Sequence, residues 1–492
     1  QPLDGDADGT AGGVFNFWFQ VGNTIYVDKT APAGGDGSLL QPFDRIDLAL
    51  ATAGNRIVAP AAGGLAINDG DLLVLEFTDG ITPPLVFEFD SDGSSDPAHV
   101  AIPFSVLDTA ADLATSIFLA IESQISGGAA LGSDFVDVLA PVTVDRSGTP
   151  ALFNEPRIVR ILGNPGTDGD LRTPGDALPY LLGRDLFGPL ADGEDMDVPQ
   201  GVTVIIDAGA VIKLRDTNID VGRSSPTIDR SGAALQVLGT PGRNVIFTSF
   251  HDDTAGGISD APNLQPSPGD WGGLVFRNES DREDQAIFLN YVNHASIRYG
   301  GGQIVVDSVR SIYNPIHLET ARPTIINNLI RFSADAAMSV DPNSLEDNRL
   351  ADPSLAAAYV LDYQRVGPHI RDNTVIDNSL NGLFVRILTP AGDNRLALEV
   401  PARIDDADIV HIIADTLLIR GTPGGGLETE PRIDARLAID PGVIVKLQGA
   451  TIETHVGGQL IAEGLPGLPV IFTSLRDDVY GIGGTFDTNN DG

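Results

Sequence analysis

The chain of 492 residues carries 68 acidic residues against 30 basic ones, a formal charge of −38, and a surface of that sign repels nucleic acid and anionic lipid. With 42% hydrophobic and 20% charged residues it holds enough apolar material for a sizeable core, which excludes general disorder. The lack of cysteine removes disulfides, thiolate zinc sites and cysteine nucleophiles, and no apolar run approaches the ~20 residues needed to span a bilayer.

The 56 glycines and 33 prolines interrupt short apolar runs, which predicts many short strands joined by tight turns. At the start, Asp4, Asp6 and Asp8 match the first half of a calcium loop, in which alternate carboxylates fold around one ion. The twelfth position is Phe15 rather than the bidentate glutamate, so backbone carbonyls would have to complete the shell. Phe15, Phe17, Trp18 and Phe19 form the densest aromatic patch in a chain that is 6% aromatic. Such a patch is expected either to cap the open end of a coil or to pair with another subunit.

Residues 60–155 read differently. Ile67 to Phe77 and Leu85 to Phe89 have the pattern of a hairpin, and Asp108-Thr109 opens a helix with Leu113, Ile117, Ile121 and Ile125 at i+4 spacing, closed by Gly127-Gly128. This is a small inserted α+β module, and Asp90, Asp92 and Asp96 form an acidic turn in it that is a further candidate for calcium. The runs at 55–58 and 156–161 that flank it are expected to be adjacent turns of one coil.

Beyond the module the sequence repeats itself, the signature of a solenoid. Pro199 to Val204, Val211-Ile212-Lys213-Leu214 and Leu235 to Asp253 are answered by Pro441 to Leu447, which contains Lys446, and by Leu460 to Asp478. Both copies end on Thr-Ser-x-x-Asp-Asp. Between the copies, Asn327-Asn328, Asn373, Asn378 and Asn381 close apolar strands, as corner residues that tolerate left-handed backbone and pair along a stack. Paired acids such as Asp252-Asp253 and Asp477-Asp478 suit a shared cation or acid–base work, but their recurrence in both copies favours a repeated structural turn. His411, in an alternating strand, is expected to be a satisfied sheet residue.

These phrases, with Asn23 to Lys29, Asp36-Gly37-Ser38 and Gly269-Asp270-Trp271-Gly272-Gly273, resemble the right-handed parallel β-helix segments of very large bacterial surface proteins. The resemblance implies a mainly β solenoid and a secreted or surface-anchored, non-catalytic, fibre-like or adhesin-like role. The order Asp-Asp, acidic loop, Gly-Asp-Trp-Gly-Gly is whole in the first copy. The second reaches only Asp487, Asn489 and Asp491, another half calcium loop, so the chain is expected to be one unit of a longer array.

The sequence reading therefore expects a mainly β chain built as a right-handed parallel β-helix with an inserted α+β module. Its parts are an N-terminal cap and first strands at 1–59, the module at 60–155, the main coil at 156–400 and a truncated repeat at 401–492. The expected partner is the protein itself, as a homopolymer or in tandem, with a cell-surface glycan as a further partner, calcium as the ion, and neither nucleic acid nor membrane insertion. No enzyme motif is present: the histidines are scattered and no phosphate loop or serine elbow occurs. The alternative is a polysaccharide-binding or polysaccharide-cleaving protein, with Arg298, Arg331 and Arg371 beside Asp335, Asp372 and Asp377 on one face.

Overall fold

A computed structural model describes residues 23–77, 82–131, 135–138, 142–146, 148–149, 157–164, 178–222, 230–260, 264–280, 287–306, 309–347, 365–387, 396–421, 435–482 and 485–491. Short strands of β-branched residues bounded by Gly, Asn and Asp stack into three long parallel sheets. The first orders seven strands from Asn23–Val27 through Arg157–Ile161 and Val202–Asp207 to His369–Arg371. The second runs from Tyr180–Asp185 through Val211–Arg215 and Val245–Ser249 to Thr374–Ile376, with an antiparallel edge at Gly188–Pro189. The third holds nine strands, from Met196–Asp197 through Ile219–Val221, Leu274–Phe276, Leu380–Val385, Val410–Ile413 and Ile444–Leu447 to Ile471–Ser474.

From Val202 to Val385 the chain visits the first, second and third sheets in fixed rotation, interrupted by the antiparallel hairpin Gln303–Val306 with Val309–Ile312, so each sheet strand pairs in parallel with the next one the chain adds to the same sheet. Period-two alternation sends one set of side chains into a common core. Val204, Ile206, Leu235, Phe247, Leu274 and Ile297 are all 0% exposed there, and one continuous cluster extends from Val27 to Val445.

The corners explain the asparagines and a group of unusual residues. His294, Asn327 and Asp372 follow strands of the first sheet, and Asp216, Tyr299, Phe332 and Asp377 follow strands of the second. All lie at φ between 49° and 61°, a conformation that costs bulky residues free energy unless the surroundings impose it. Tyr299 and Phe332 stack with ring centroids 5.2 Å apart, a contact that offsets part of that strain. Asn328 caps its corner by accepting from Ala295 N at 2.8 Å and donating to Val292 O and Asn373 Oδ1, both at 2.9 Å. Asn378 repeats the device one corner on, accepting from Ser333 N and donating to Ile330 O. The corner asparagines therefore satisfy buried backbone groups of neighbouring turns.

The module folds around its own core, including Ile57, Leu73, Phe87, Phe89, Leu113 and Ile117. Leu72–Phe77 pairs antiparallel with Leu85–Asp90 and Val142–Asp145, and helix α2, Ala110–Gln124, packs on them behind a Thr109–Asp112 capping box. One expectation fails here. Arg56–Val58 pairs antiparallel with 135–137 inside the module, and the coil neighbour of Arg157–Ile161 is Asn23–Val27. Ile57 belongs to the module core, so that run cannot also serve the coil.

Helix α1, Ile46–Gly54, has no side-chain N-cap and left no clear mark in the sequence. It lies against the first strands of the coil and inserts Ile46, Ala49 and Ala53, each 0% exposed, into the coil core. Phe15, Phe17, Trp18 and Phe19, expected either to cap the end or to pair with another subunit, lie outside the described residues.

The duplicated units enter the stack one side out of phase. Val211–Arg215 belongs to the second sheet, whereas its counterpart Ile444–Leu447 continues the third. The remaining sides of the second unit are Pro401–Ile404, Arg436–Ile439 and Gln459–Ala462, and the pair Leu417–Ile419 with Ile452–Thr454. Among the described residues no helix is long and apolar enough to cross a membrane.

Candidate cation-binding turns

Each copy of the duplicated unit builds the same turn over a buried lysine. In the first, Lys213 is 0% exposed, is paired in register with Thr248, and donates from Nζ to Gly257 O. Thr248 Oγ1 donates to Asp252 Oδ2 at 2.6 Å, and Thr254 N donates to Asp252 Oδ1 at 3.0 Å. Burial opposes ionisation of Asp252, but these hydrogen bonds and nearby Arg298 outweigh it and hold its carboxyl below the usual range. In the second copy Lys446 lies beside Thr473, donates to Asp477 O at 2.6 Å and Phe486 O at 2.8 Å, and Thr473 bonds Asp477. Burial lowers the pKa of both lysines. The paired acids thus close structural turns around an internal ammonium, in keeping with their recurrence.

Among the described residues two groups of carboxylates converge. Asp478, Asp487 and Asp491 bring oxygens within 4.8 Å of one another. Asn489 donates to Asp491 Oδ2 at 2.8 Å, and its own Oδ1 is buried without a hydrogen-bond partner. The loop is moored to the coil: Asn381 N donates to Thr488 O at 2.7 Å and Asn381 Nδ2 to Asp487 O at 3.1 Å. Asp487, Asn489 and Asp491 therefore come together as the sequence suggested, joined by Asp478.

The second group is Asp69, Asp90 and Asp92. Asp90 Oδ1 accepts from the backbone N–H of Gly93 at 2.6 Å, and such bonds hold Asp90 below its ordinary pKa. Asp69 accepts from Ser91 N at 2.6 Å across the hairpin mouth. Asp96 stands apart, because its carboxylate turns back to Ala98 N at 2.9 Å. Asp69 and Asp478 were missed because they reach their partners through strand pairing and loop docking. The hairpin register, which sets Leu72 opposite Glu88, is the signal that could have placed Asp69 beside Asp90. Asp4, Asp6 and Asp8 lie outside the described residues.

The other candidates do not assemble. Arg298 and Arg331 are neighbours on the second sheet, but Arg371 lies on the first, and Asp335 is held by Arg386 at 2.7 Å. The common face that the polysaccharide alternative required is not formed by these residues. His411 is not the satisfied sheet residue expected. It lies level with Leu383 and Val445 of the core, is 1% exposed, and among the described residues neither ring nitrogen makes a well-formed hydrogen bond, the Ile409 backbone giving only a weak contact that burial outweighs.

Compared with family models, with curated proteins and with solved structures, the chain finds no match.

Proposed function

We propose that the chain is a non-catalytic structural segment of an extracellular or cell-surface fibre, a closed right-handed parallel β-helix that joins a further coil through its uncapped end. The observation that carries this reading is a comparison within the chain itself. Leu235 and Phe247 of the first copy are 0% exposed, beneath the next turn of the coil, whereas the equivalent Leu460 and Phe472 are 39% and 45% exposed. Among the described residues their strands, Gln459–Ala462 and Ile471–Ser474, are sheet edges that leave apolar side chains bare, a template for another strand.

Helix α1 lies on the first strands of the stack, and the proposed junction is at these last edge strands. A further coil in tandem, or the open end of a second copy, fits it, and a two-fold pairing of identical copies closes at a dimer. The charge of −38 opposes such an approach. Calcium at Asp478, Asp487 and Asp491, in the loop that follows the last edge strand, would offset that repulsion where the ends meet. Electron microscopy of the purified chain in calcium tests the reading: rods joined at one end support it, and single particles at high concentration count against it.

A further inference from the structure

Where the module meets the coil, a cleft of about 410 Å³ opens between α1, the module strand Val142–Asp145 and the third-sheet strand Met196–Asp197. Its size is in the range of small-molecule sites, which favour such junctions. Leu50, Ala51, Val142, Val144 and Pro199 supply an apolar wall. Met196 is 0% exposed and points into the core, so strand alternation turns Asp195 and Asp197 outward on one face, and both line the cleft with Glu194.

The positive charges that answer these carboxylates are already engaged. Arg146 is 2% exposed and donates to Gln200 Oε1 at 2.8 Å and Arg56 O at 2.5 Å. Arg230 pairs with Asp197, and Glu194 pairs with Arg184. Asp195 accepts no hydrogen bond from a described residue. We propose that this cleft binds an organic cation with an aliphatic stem, its ammonium or guanidinium group between Asp195 and Asp197 and its carbon chain on the Leu50, Val142 and Val144 wall. A bare divalent ion fits less well, because the described acids whose oxygens converge are the two groups above.

Electrostatics point the same way. Burial raises Asp197 to about 7 against the pull of Arg230, with Asp195 and Asp220 adding to the rise. Asp195, which is the more exposed of the two, is raised in the same direction, by desolvation in the cleft first and by Glu194 and Asp220 against the pull of Arg230. Behind the strand Asp220 is paired with Arg277 at 2.7 Å. Among the described residues Asp195 is the lining carboxylate without an ion pair, so a ligand cation there relieves charge that the fold leaves uncompensated.

The inference does not depend on the structural role proposed above. Calorimetric titration of the whole chain with 1,4-diaminobutane at moderate salt tests it. The expected result is saturable binding at one site, weakened about tenfold in Asp195→Asn and in Ala51→Phe, which fills the cleft without altering charge. The melting temperature of both ligand-free variants should stay within a few degrees of the parent. Binding should also weaken between about pH 8 and about pH 6 as Asp197 takes up its proton. Nα-acetyl-lysine amide in a parallel titration separates the sources: tighter binding than the diamine marks a protein lysine, and weaker binding a free amine. No saturable heat, or binding equal in the parent and both variants, as a diffuse attraction to the acidic surface would give, overturns the proposal.

Discussion

Lys213 and Lys446 occupy the same place in the two copies of the repeated unit, each fully buried beside a threonine of the next strand and each donating to carbonyls of the loop that follows. The lysine satisfies backbone oxygens inside each turn, as an ion otherwise would, and in the first copy Arg298 answers the charge of Asp252. Lys446→Met keeps the stem and removes the donor, leaving the carbonyls of Asp477 and Phe486 unpaired. A loss of ~1–3 kcal/mol is expected in denaturant unfolding, with faster amide exchange confined to 477–491. An unchanged unfolding midpoint would show that the ammonium contributes nothing.

The corner asparagines carry a second prediction. Asn328 is 2% exposed and serves Ala295 N, Val292 O and Asn373 Oδ1. Asn328→Ala leaves Ala295 N and Val292 O of the preceding turn without this partner, and a cost of ~2–4 kcal/mol follows. Asn328→Asp restores the acceptor but not the donor and should fall between. Equal stabilities of the three proteins would contradict the corner role.

Buried His411 makes stability depend on pH. Burial lowers its pKa to about 4 in the folded chain, below the ~6.5 of an unfolded chain. The folded state holds the ring neutral, so the unfolded state takes up the proton first as pH falls. The contribution is present above about pH 6.5 and is lost progressively down to about pH 4, up to ~3 kcal/mol in all. His411→Leu should raise stability and flatten the profile in that window. Parallel profiles for the two proteins would mean that His411 does not titrate as its surroundings dictate.

The parts of the fold that were legible in the sequence rest on local physics. The β-branched run at Val202 to Val204, the left-handed corner at Asn327 and the Thr109–Asp112 capping box act within a few residues, and the structure shows each of them. By contrast, Asn328, Asn373, Asn378 and Asn381 hold their corners by side-chain hydrogen bonds without left-handed backbone. The match of Lys213 to Lys446 was legible as duplication, but the burial of both lysines depends on loops 31 to 44 residues farther along the chain. Helix α1 escaped notice because Arg45 gives it no side-chain cap, and because its start is defined by packing on the coil. Of the candidate site, Asp487, Asn489 and Asp491 could be read from spacing, while Asp69 and Asp478 arrive from paired strands and docked loops. Arg56–Val58 was misplaced for the same reason, since a short apolar run does not reveal which of two cores it serves.

Calcium should bind the acidic turns, and the sign of its effect is fixed by linkage. An ion held only by the folded state adds about 2.7 kcal/mol at a hundredfold excess over its Kd. Melting temperature is expected to rise with calcium and to return on chelation. Asp487→Asn and Asp69→Asn should each remove part of the rise. A calcium response left intact in the double variant would place the ion elsewhere.

The open end is the central claim, and sedimentation velocity over a range of concentrations in calcium tests it most directly. The chain is expected to pass from monomer to dimer as concentration rises, while Phe472→Asp, which places a charge on the bare edge, remains monomeric with an unchanged fold. A chain that stays monomeric throughout, or a Phe472→Asp variant that associates as strongly as the parent, would contradict the account.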